Sequence, residues 1–205
     1  MIPVPTLWPG GTVACLASGP SLTPADVAYV RGKVDGVIVV NTTYQLALWA
    51  DALVASDVRW WGWHRGAPAF PGLKYATSKH VRWPGVTILR NTGPTGLERD
   101  PTGLRHGFNT GYRAINLAVH FGASRILLLG YDMRQGPGGM EHWHGDHPVP
   151  SRSVYPTFVR YFRTLVGPLR ELGVSVINCT PGSALDCFPR AVLRDAVPVR
   201  VGVAC

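Results

Sequence analysis

The sequence predicts an α/β protein with a doubly wound, mostly parallel sheet. Short, continuous apolar runs such as GVIVV at 36–40 and RILLL at 125–129 are typical of strands that are buried on both faces. These runs alternate with segments of helical spacing, as they do in sheets built from crossover units. The 205 residues, 46% of them hydrophobic and only 16% charged, suit one large domain. We therefore expect a single Rossmann-like domain over residues 1–205.

The first half of the chain predicts three strands and one helix. Residues 12–17 (TVACLA) form the first apolar run, and Gly36–Val40 and 52–55 form the next two. Between the first two runs, Thr23 is a suitable helix N-cap and Asp26 stands three residues later, which is a capping-box arrangement. The expected order is therefore strand, helix, strand, strand.

The second half predicts two helices and three strands around two irregular segments. Residues 60–105 are rich in Trp, Pro and Gly and are expected to be an irregular insertion, and residues 133–153 are expected to be a mobile, His-rich loop. The remaining expected elements are a short strand near 86–89, a helix over 110–121, a strand at Arg125–Leu129, a helix over 154–172 and a last strand over 174–178.

Polar residues follow each predicted strand. Right-handed crossovers bring the carboxyl ends of parallel strands to one edge of the sheet, where ligands bind in such folds. These residues are therefore expected to meet in one site. They are Ser18, Gly19, Pro20, Ser21, Asn41, Thr42, Ser56, Asp57, Asp132 and the segment 180–183.

Two segments are candidates for binding a phosphate through main-chain N–H groups. The turn at 18–21 joins a strand to a capped helix, and Asn109, Thr110 and Gly111 stand at the start of the helix over 110–121. A plain turn and an ordinary N-cap at Asn109 or Thr110 explain the same residues. Asn41 is either a base-reading amide or a turn-forming residue.

The segment EHWHGDHP at 141–148 is the densest group of titratable residues. His142 or His147 is a candidate general acid or base, because histidine titrates near neutral pH. The same segment is also a candidate metal site or an ordinary hydrated loop.

The formal charge of +8 predicts an anionic partner. A nucleotide-like small molecule fits best; nucleic acid is not favoured, because the basic residues are dispersed. The tryptophans at 60, 61 and 63 either stack on a base or fill the core. We expect no disulfide, no membrane span and a cytoplasmic location, and a homo-oligomer is compatible with the sequence.

Four segments, in order, resemble the bacterial sialyltransferases of glycosyltransferase family 42 and the wider 6-hydroxymethylpterin diphosphokinase-like superfamily, including short phage and prophage members. VACLASGPSL at 13–22 resembles the family's strand and Gly-x-Gly-Pro-Ser-Leu loop, with Ala17 in place of the first Gly. Val40 and Asn41 resemble its strand-ending Asn. The stretch 110–132 resembles its Ser-Gly helix and the strand that ends in Gly-x-Asp, and INCTPGSALDCF at 177–188 resembles its closing strand and loop.

The resemblance implies a nucleotide-binding site and a catalytic His. In the family's His-aromatic-x-Gly-His element, Asp146 takes the place of the second His and His147 lies next to it. The family's Tyr after Gly-x-Asp is also missing, and Arg134 stands nearby as a substitute for stabilising a departing phosphate. The residues implied to face the nucleotide are Ser18, Gly19, Ser21, Asn41, Asn109, Thr110, Gly111 and Asp132.

Three functions follow as hypotheses. The first is a glycosyltransferase-like enzyme that needs no cofactor or metal and uses a nucleotide-activated donor, CMP- or NDP-linked, but not a sialic acid donor. The second is a phage-derived protein that binds a nucleotide or nucleotide signal without chemistry. The third is a Mg²⁺-dependent pyrophosphokinase-like enzyme, which requires acidic residues near the phosphates, where only Asp57 and Asp132 are candidates.

Overall fold

The computed structural model describes residues 2–149 and 153–199, and within them the chain forms a single α/β domain. Its main sheet has seven strands, all of them parallel to their neighbours. The strands are β1 (Thr12–Leu16), β2 (Gly36–Val40), β3 (Ala52–Val54), β4 (Leu73–Ala76), β5 (Val86–Ile88), β8 (Arg125–Leu129) and β9 (Ser175–Asn178). A separate two-stranded sheet joins β6 (Arg90–Asn91) and β7 (Gly103–Leu104).

The described helices lie on both faces of the main sheet. They are α1 (Pro24–Val30), α2 (Val58–Trp63), α3 (Thr110–His120), α4 (Tyr155–Phe162), α5 (Val166–Glu171) and α6 (Leu193–Ala196), with 3₁₀ turns at Asn41–Gln45, Pro137–Gly139 and Arg163–Leu165. One buried cluster packs α3 and α4 against the sheet, and a second packs α1, α2 and α6 against the opposite face. The predicted fold class, Rossmann-like and doubly wound, is confirmed.

The strand order is β5-β4-β3-β2-β1-β8-β9. The chain builds outwards from β1 to β5, and it then returns to place β8 on the free side of β1, from Thr12 opposite Arg125 to Leu16 opposite Leu129. The order therefore reverses between β1 and β8. A crevice at the carboxyl ends of these two strands is where ligands bind in open parallel sheets.

The predicted helix start after β1 is confirmed by the hydrogen bonds of its N-cap. Thr23 has an extended backbone and its hydroxyl oxygen accepts a hydrogen bond from the Asp26 N–H at 3.1 Å. The Thr23 hydroxyl in turn donates to the Asp26 carboxylate at 2.6 Å. Pro24 occupies the first helical position, where a missing N–H costs nothing. The cap fixes where the chain leaves the β1 loop.

The expectation that residues 60–105 are irregular is wrong in part. The segment contains most of α2, the strands β4 and β5, and the small β6–β7 sheet. The strand expected near residue 86 is present as β5, and Trp60 and Trp61 are buried core residues. The helix and strands here are two to six residues long. Elements this short do not produce a recognisable hydrophobic periodicity in the sequence.

The helix expected over 154–172 is interrupted. It consists of α4, a 3₁₀ turn at Arg163–Leu165 and α5. Pro168 lies in α5 and lacks the N–H that would bond to the carbonyl of Thr164, and its ring crowds that carbonyl. The local tightening at residues 163–165 accommodates this proline.

Cys15, Cys179 and Cys187 are free thiols, and Cys205 and residues 150–152 of the His-rich loop lie outside the described residues. None of the helices in the described ranges has the length and apolar character required to traverse a bilayer.

Candidate functional site

The β1 and β8 loops are joined to each other at the crevice. The Gly19 N–H donates to the Gly130 carbonyl at 2.9 Å. The Asp132 carboxylate accepts from the Ser21 N–H at 3.2 Å and from the Ser21 hydroxyl at 2.9 Å. A β-carbon on Gly19 would lie 1.9 Å from an Asp132 carboxylate oxygen, so the approach requires glycine. Asp132 and Ser21 therefore brace the two loops.

These bonds change the expected way of holding a phosphate. The N–H groups of Gly19 and Ser21 are already paired across the loops. The Gly111 N–H is paired as well, because it donates at 2.7 Å to the side chain of Asn109, the N-cap of α3. Three of the main-chain N–H groups expected to hold a phosphate are therefore already engaged within the protein. Phosphate binding at these loops stays a prediction.

Two adjoining depressions occupy the crevice, which we call the inner and outer clefts. The inner cleft, of about 90 Å³, lies against Gly19, Gly130 and Asp132. The outer cleft, of about 300 Å³, lies against Asp57, Trp63 and Arg113. Both are lined by Asn41, Asn109, Thr110, His142, Ser153 and Phe158, so they form one continuous site.

Asn41 is placed at the centre of this site by the end of β2. It begins a 3₁₀ turn and has a φ of 50°, a left-handed conformation that is uncommon for a residue other than glycine. Nearby, the Thr110 hydroxyl donates to the Ser56 hydroxyl at 3.2 Å across the mouth of the outer cleft. Strained backbone of this kind occurs often at ligand sites.

Three of the expected site residues have side chains that contact other parts of the protein. The Ser18 hydroxyl bonds to the Val40 carbonyl at 3.3 Å, although Ser18 borders the inner cleft. Thr42 is buried and its hydroxyl accepts from the Trp60 indole at 3.1 Å. Pro20 packs on the His-rich loop, since a β-carbon on Gly136 would lie 2.8 Å from it.

Asp57 lies at the outer cleft but is already engaged. It caps α2 by accepting from the Arg59 N–H at 2.8 Å, and it forms an ion pair with the Arg59 guanidinium at 3.1 Å. Burial raises the pKa of Asp57, but the hydrogen bonds and charge of Arg59 outweigh it and hold the pKa below its usual value. Asp57 is therefore an anion at neutral pH with its charge largely balanced.

Arg113 is the residue of this site that the sequence reasoning missed. It lies in the first turns of α3, is only 9% exposed, and lines the outer cleft. Within residues 2–149 and 153–199 its buried Nε has no hydrogen-bond partner, and no ion pair involves its guanidinium. Burial lowers the pKa of Arg113 to about 10. Arg113 is the one charged residue in the mostly apolar stretch YRAINLAV at 112–119, and this was the available indication.

The His-rich loop closes the site from the other side. Trp143 anchors the loop, because its N–H donates to the Ser18 carbonyl and its indole donates to the Thr43 hydroxyl, both at 3.1 Å. Ser153 ties the far end back through its hydroxyl, which donates to Glu141 at 2.8 Å. The mobility expected for the loop stays a prediction.

Within this loop the three histidines come together. The ring centroids of His142, His144 and His147 lie 4.8–5.2 Å apart. His142 and His147 line the outer cleft, where Trp63 stacks on His147 at 5.9 Å. Burial is the main cause that lowers all three pKa values, and the pKa of His144 falls to about 4. The rings are therefore neutral at pH 7.

The other two expected catalytic residues, Arg134 and Asp146, differ in their position relative to the clefts. Arg134 is exposed but lines the inner cleft, close to Gly182 of the β9 loop. Asp146 is exposed and lines neither cleft. Among the four candidates, His142, His147 and Arg134 thus border the site, whereas Asp146 does not line it.

The comparisons with known proteins agree with the fold. The structure is similar to that of the MAf glycosyltransferase from Magnetospirillum magneticum AMB-1, with a TM-score of 0.65 and 12% sequence identity. The match covers 95% of this chain but only 35% of that protein, so the chain spans about a third of its length. No protein-family model matches the sequence, and no curated protein matches it either. The chain therefore shares its fold with a glycosyltransferase.

Proposed function

We propose that the protein is a glycosyltransferase-like, cytoplasmic transferase that uses a nucleotide-activated donor. The observation that carries the proposal is the buried side chain of Arg113 at the wall of a cleft on the strand switch point. Among the described residues its Nε has no hydrogen-bond partner and its guanidinium forms no ion pair. A buried cation without a partner is costly, and an anionic ligand offsets that cost. Arginine is especially suited to phosphate, which it holds with two parallel hydrogen bonds.

The donor lies across both clefts in this proposal. Arg113 holds a phosphate in the outer cleft, Thr110 supplies a hydroxyl beside it, and Asn41 orients the base through its amide. Arg134 borders the inner cleft, where it stabilises charge on the departing nucleotide. The fold of the MAf glycosyltransferase supports this arrangement, since it is compatible with transfer chemistry.

The transfer step forms one bond and breaks one. The oxygen of an acceptor hydroxyl attacks the anomeric carbon of the donor sugar, and the bond from that carbon to the phosphate oxygen breaks. The nucleotide leaves with the bonding electron pair. The acceptor proton is taken up at the His-rich loop, where His147 and His142 line the cleft. Most of the acceleration comes from positioning and charge stabilisation.

Magnesium is not needed at the phosphates in this scheme. The acidic side chains that line the clefts are Asp57, Asp132 and Glu141. They are engaged by Arg59, Ser21 and Ser153 respectively. A magnesium site would require free carboxylate oxygens with octahedral geometry. The pyrophosphokinase-like alternative is therefore less well supported than transfer without Mg²⁺.

A second candidate is binding of a nucleotide without chemistry. It is favoured by one observation, that Asp146 stands at the position of the resembled family's second His and lines neither cleft. The clefts, Asn41 and Arg113 serve binding equally well in this case.

A ligand screen followed by mass spectrometry separates the two candidates. The full chain is first heated with CMP, UMP, GDP, CMP-sugars and pterins, since a ligand that binds the folded state raises the melting temperature. The donor with the largest shift is then incubated with candidate acceptors. Transfer of its sugar supports the transferase; recovery of intact donor with every acceptor supports binding alone. No shift with any nucleotide compound would refute both.

A further inference from the structure

Three imidazoles converge within six residues of chain. His142, His144 and His147 each offer one ring nitrogen, and these three nitrogens all lie within 4.8 Å of one another. The rings of His142 and His144 are parallel to within 9°, and that of His147 is tilted across both by about 55°. Of the chain's seven histidines, these three alone form such a group in the described residues.

Ordinary packing does not account for the cluster. The Nε2 of His144 is buried and has no hydrogen-bond partner among the described residues. A buried polar nitrogen without a partner destabilises the folded state, and neutral imidazoles packed side by side provide no compensating hydrogen bond. A bound cation would satisfy this nitrogen.

We propose that His142, His144 and His147 bind one divalent transition-metal ion, with zinc the best match. Neutral imidazole is a preferred ligand of zinc, whereas magnesium and calcium require oxygen ligands. Zinc–nitrogen bonds of about 2.0–2.1 Å place tetrahedral ligand atoms roughly 3.3 Å apart. Nitrogens within 4.8 Å reach this spacing through small side-chain rotations.

The site is supported from outside the cluster. The Trp143 side chain stands between two of the ligands in sequence and is hydrogen-bonded to Thr43. Since the backbone of Trp143 is also bonded to the β1 loop, the His142 and His144 backbones are fixed relative to the sheet. Trp63 stacks on the third ring, that of His147. Ligands held by such neighbours need little reordering to bind an ion.

Three protein ligands leave a fourth position, as in catalytic rather than structural zinc sites. His142 and His147 line the outer cleft, so this position faces the proposed acceptor and donor phosphate. The role of the ion, unlike its binding, rests on the proposed function: it would lower the pKa of the acceptor hydroxyl, whose proton would then leave to water and not to a free His base. The expected metal independence then applies to Mg²⁺ only.

The test is metal binding by the full chain, made without an affinity tag and stripped with a chelator. Calorimetric titration with zinc chloride is expected to give one ion per chain. Cobalt chloride is expected to give the visible absorption of a tetrahedral nitrogen-ligated ion. His144→Ala should weaken zinc binding on the order of 100-fold, and His147→Ala should do the same, whereas His80→Ala, which removes an exposed histidine outside both clefts, should not.

Several outcomes decide the proposal. Absence of zinc binding, or equal affinity in wild type, His144→Ala and His80→Ala, overturns it. Should His144→Ala fail to fold by circular dichroism, His147→Ala alone decides, because that ring is only half-buried. Nucleotide binding is measured separately without zinc. A chain that binds nucleotide but no zinc overturns the metal site alone, and one that binds zinc but no nucleotide overturns the proposed function alone.

Discussion

Replacing Arg113 with methionine is expected to stabilise the free protein and to weaken its binding of nucleotide. Methionine keeps an unbranched apolar stem of similar length and removes the charge. Burial lowers the pKa of Arg113 to about 10. A change of one pKa unit is worth about 1.4 kcal/mol, so the lowered pKa corresponds to a cost of roughly 3 kcal/mol for burying the charged form.

The expected gain in the free energy of unfolding is therefore about 1–3 kcal/mol, part of the cost being offset by lost packing of the guanidinium. For a domain of this size it raises the melting temperature by roughly 2–12 °C. The loss of a charge-assisted hydrogen bond, about 1.5–3 kcal/mol, weakens nucleotide binding roughly 10- to 150-fold. The gain in stability is the opposite of the usual result, since most substitutions of buried residues destabilise.

Urea unfolding and calorimetric titration measure the two quantities on the same sample. Arg82→Met is the matched control, because Arg82 is exposed and lies outside both clefts but carries the same charge. It should change the free energy of unfolding by less than about 0.5 kcal/mol and leave the affinity unchanged. If Arg113→Met were less stable than the wild type, the inference that the charge of Arg113 is unpaired would be wrong. If its affinity for nucleotide were unchanged, the inference that Arg113 contacts the ligand would be wrong.

Three further predictions concern the loops. Gly19→Ala should destabilise by about 1–3 kcal/mol in urea unfolding, because its β-carbon would meet Asp132, whereas Gly62→Ala in α2, where space is open, should stabilise by about 0.5–1 kcal/mol; equal effects would contradict the close approach. Burial raises the pKa of Asp132, so its stabilising contribution is present at low pH and is lost as pH rises through the folded-state pKa. Asp132→Asn should thus gain stability relative to wild type as the pH rises above about 4, the usual pKa of a free Asp, and a constant difference would contradict the raised pKa. His147→Ala should abolish sugar transfer while retaining nucleotide binding, and unchanged transfer would exclude His147 from the reaction.

The strands in the centre of the sheet were predictable because they are buried on both faces. Gly36–Val40 and Arg125–Leu129 are continuous apolar runs, and the structure places strands at these same residues. The cap at Thr23 was predictable because it depends on neighbours three residues away. The strand β4, LKYA, was missed since it is four residues long and carries a lysine beside its buried Tyr75.

The sheet topology was enough to predict that the loops converge. It was not enough to predict the hydrogen-bond partner of each polar group in them. Whether the Ser21 N–H is free depends on Asp132, 111 residues later, and no local pattern shows that they pair. The unpaired state of Arg113 is likewise a property of its surroundings in three dimensions. Sequence reasoning therefore located the rim of the sheet and misjudged which atoms there remain available.

The central claim is tested most directly by a crystal structure of the chain bound to the nucleotide that raises its melting temperature most. The account predicts a phosphate about 3 Å from the Arg113 guanidinium, with the base beside Asn41. A nucleotide bound elsewhere, for example in the depression of about 520 Å³ beside Tyr29 and Arg194, would contradict it.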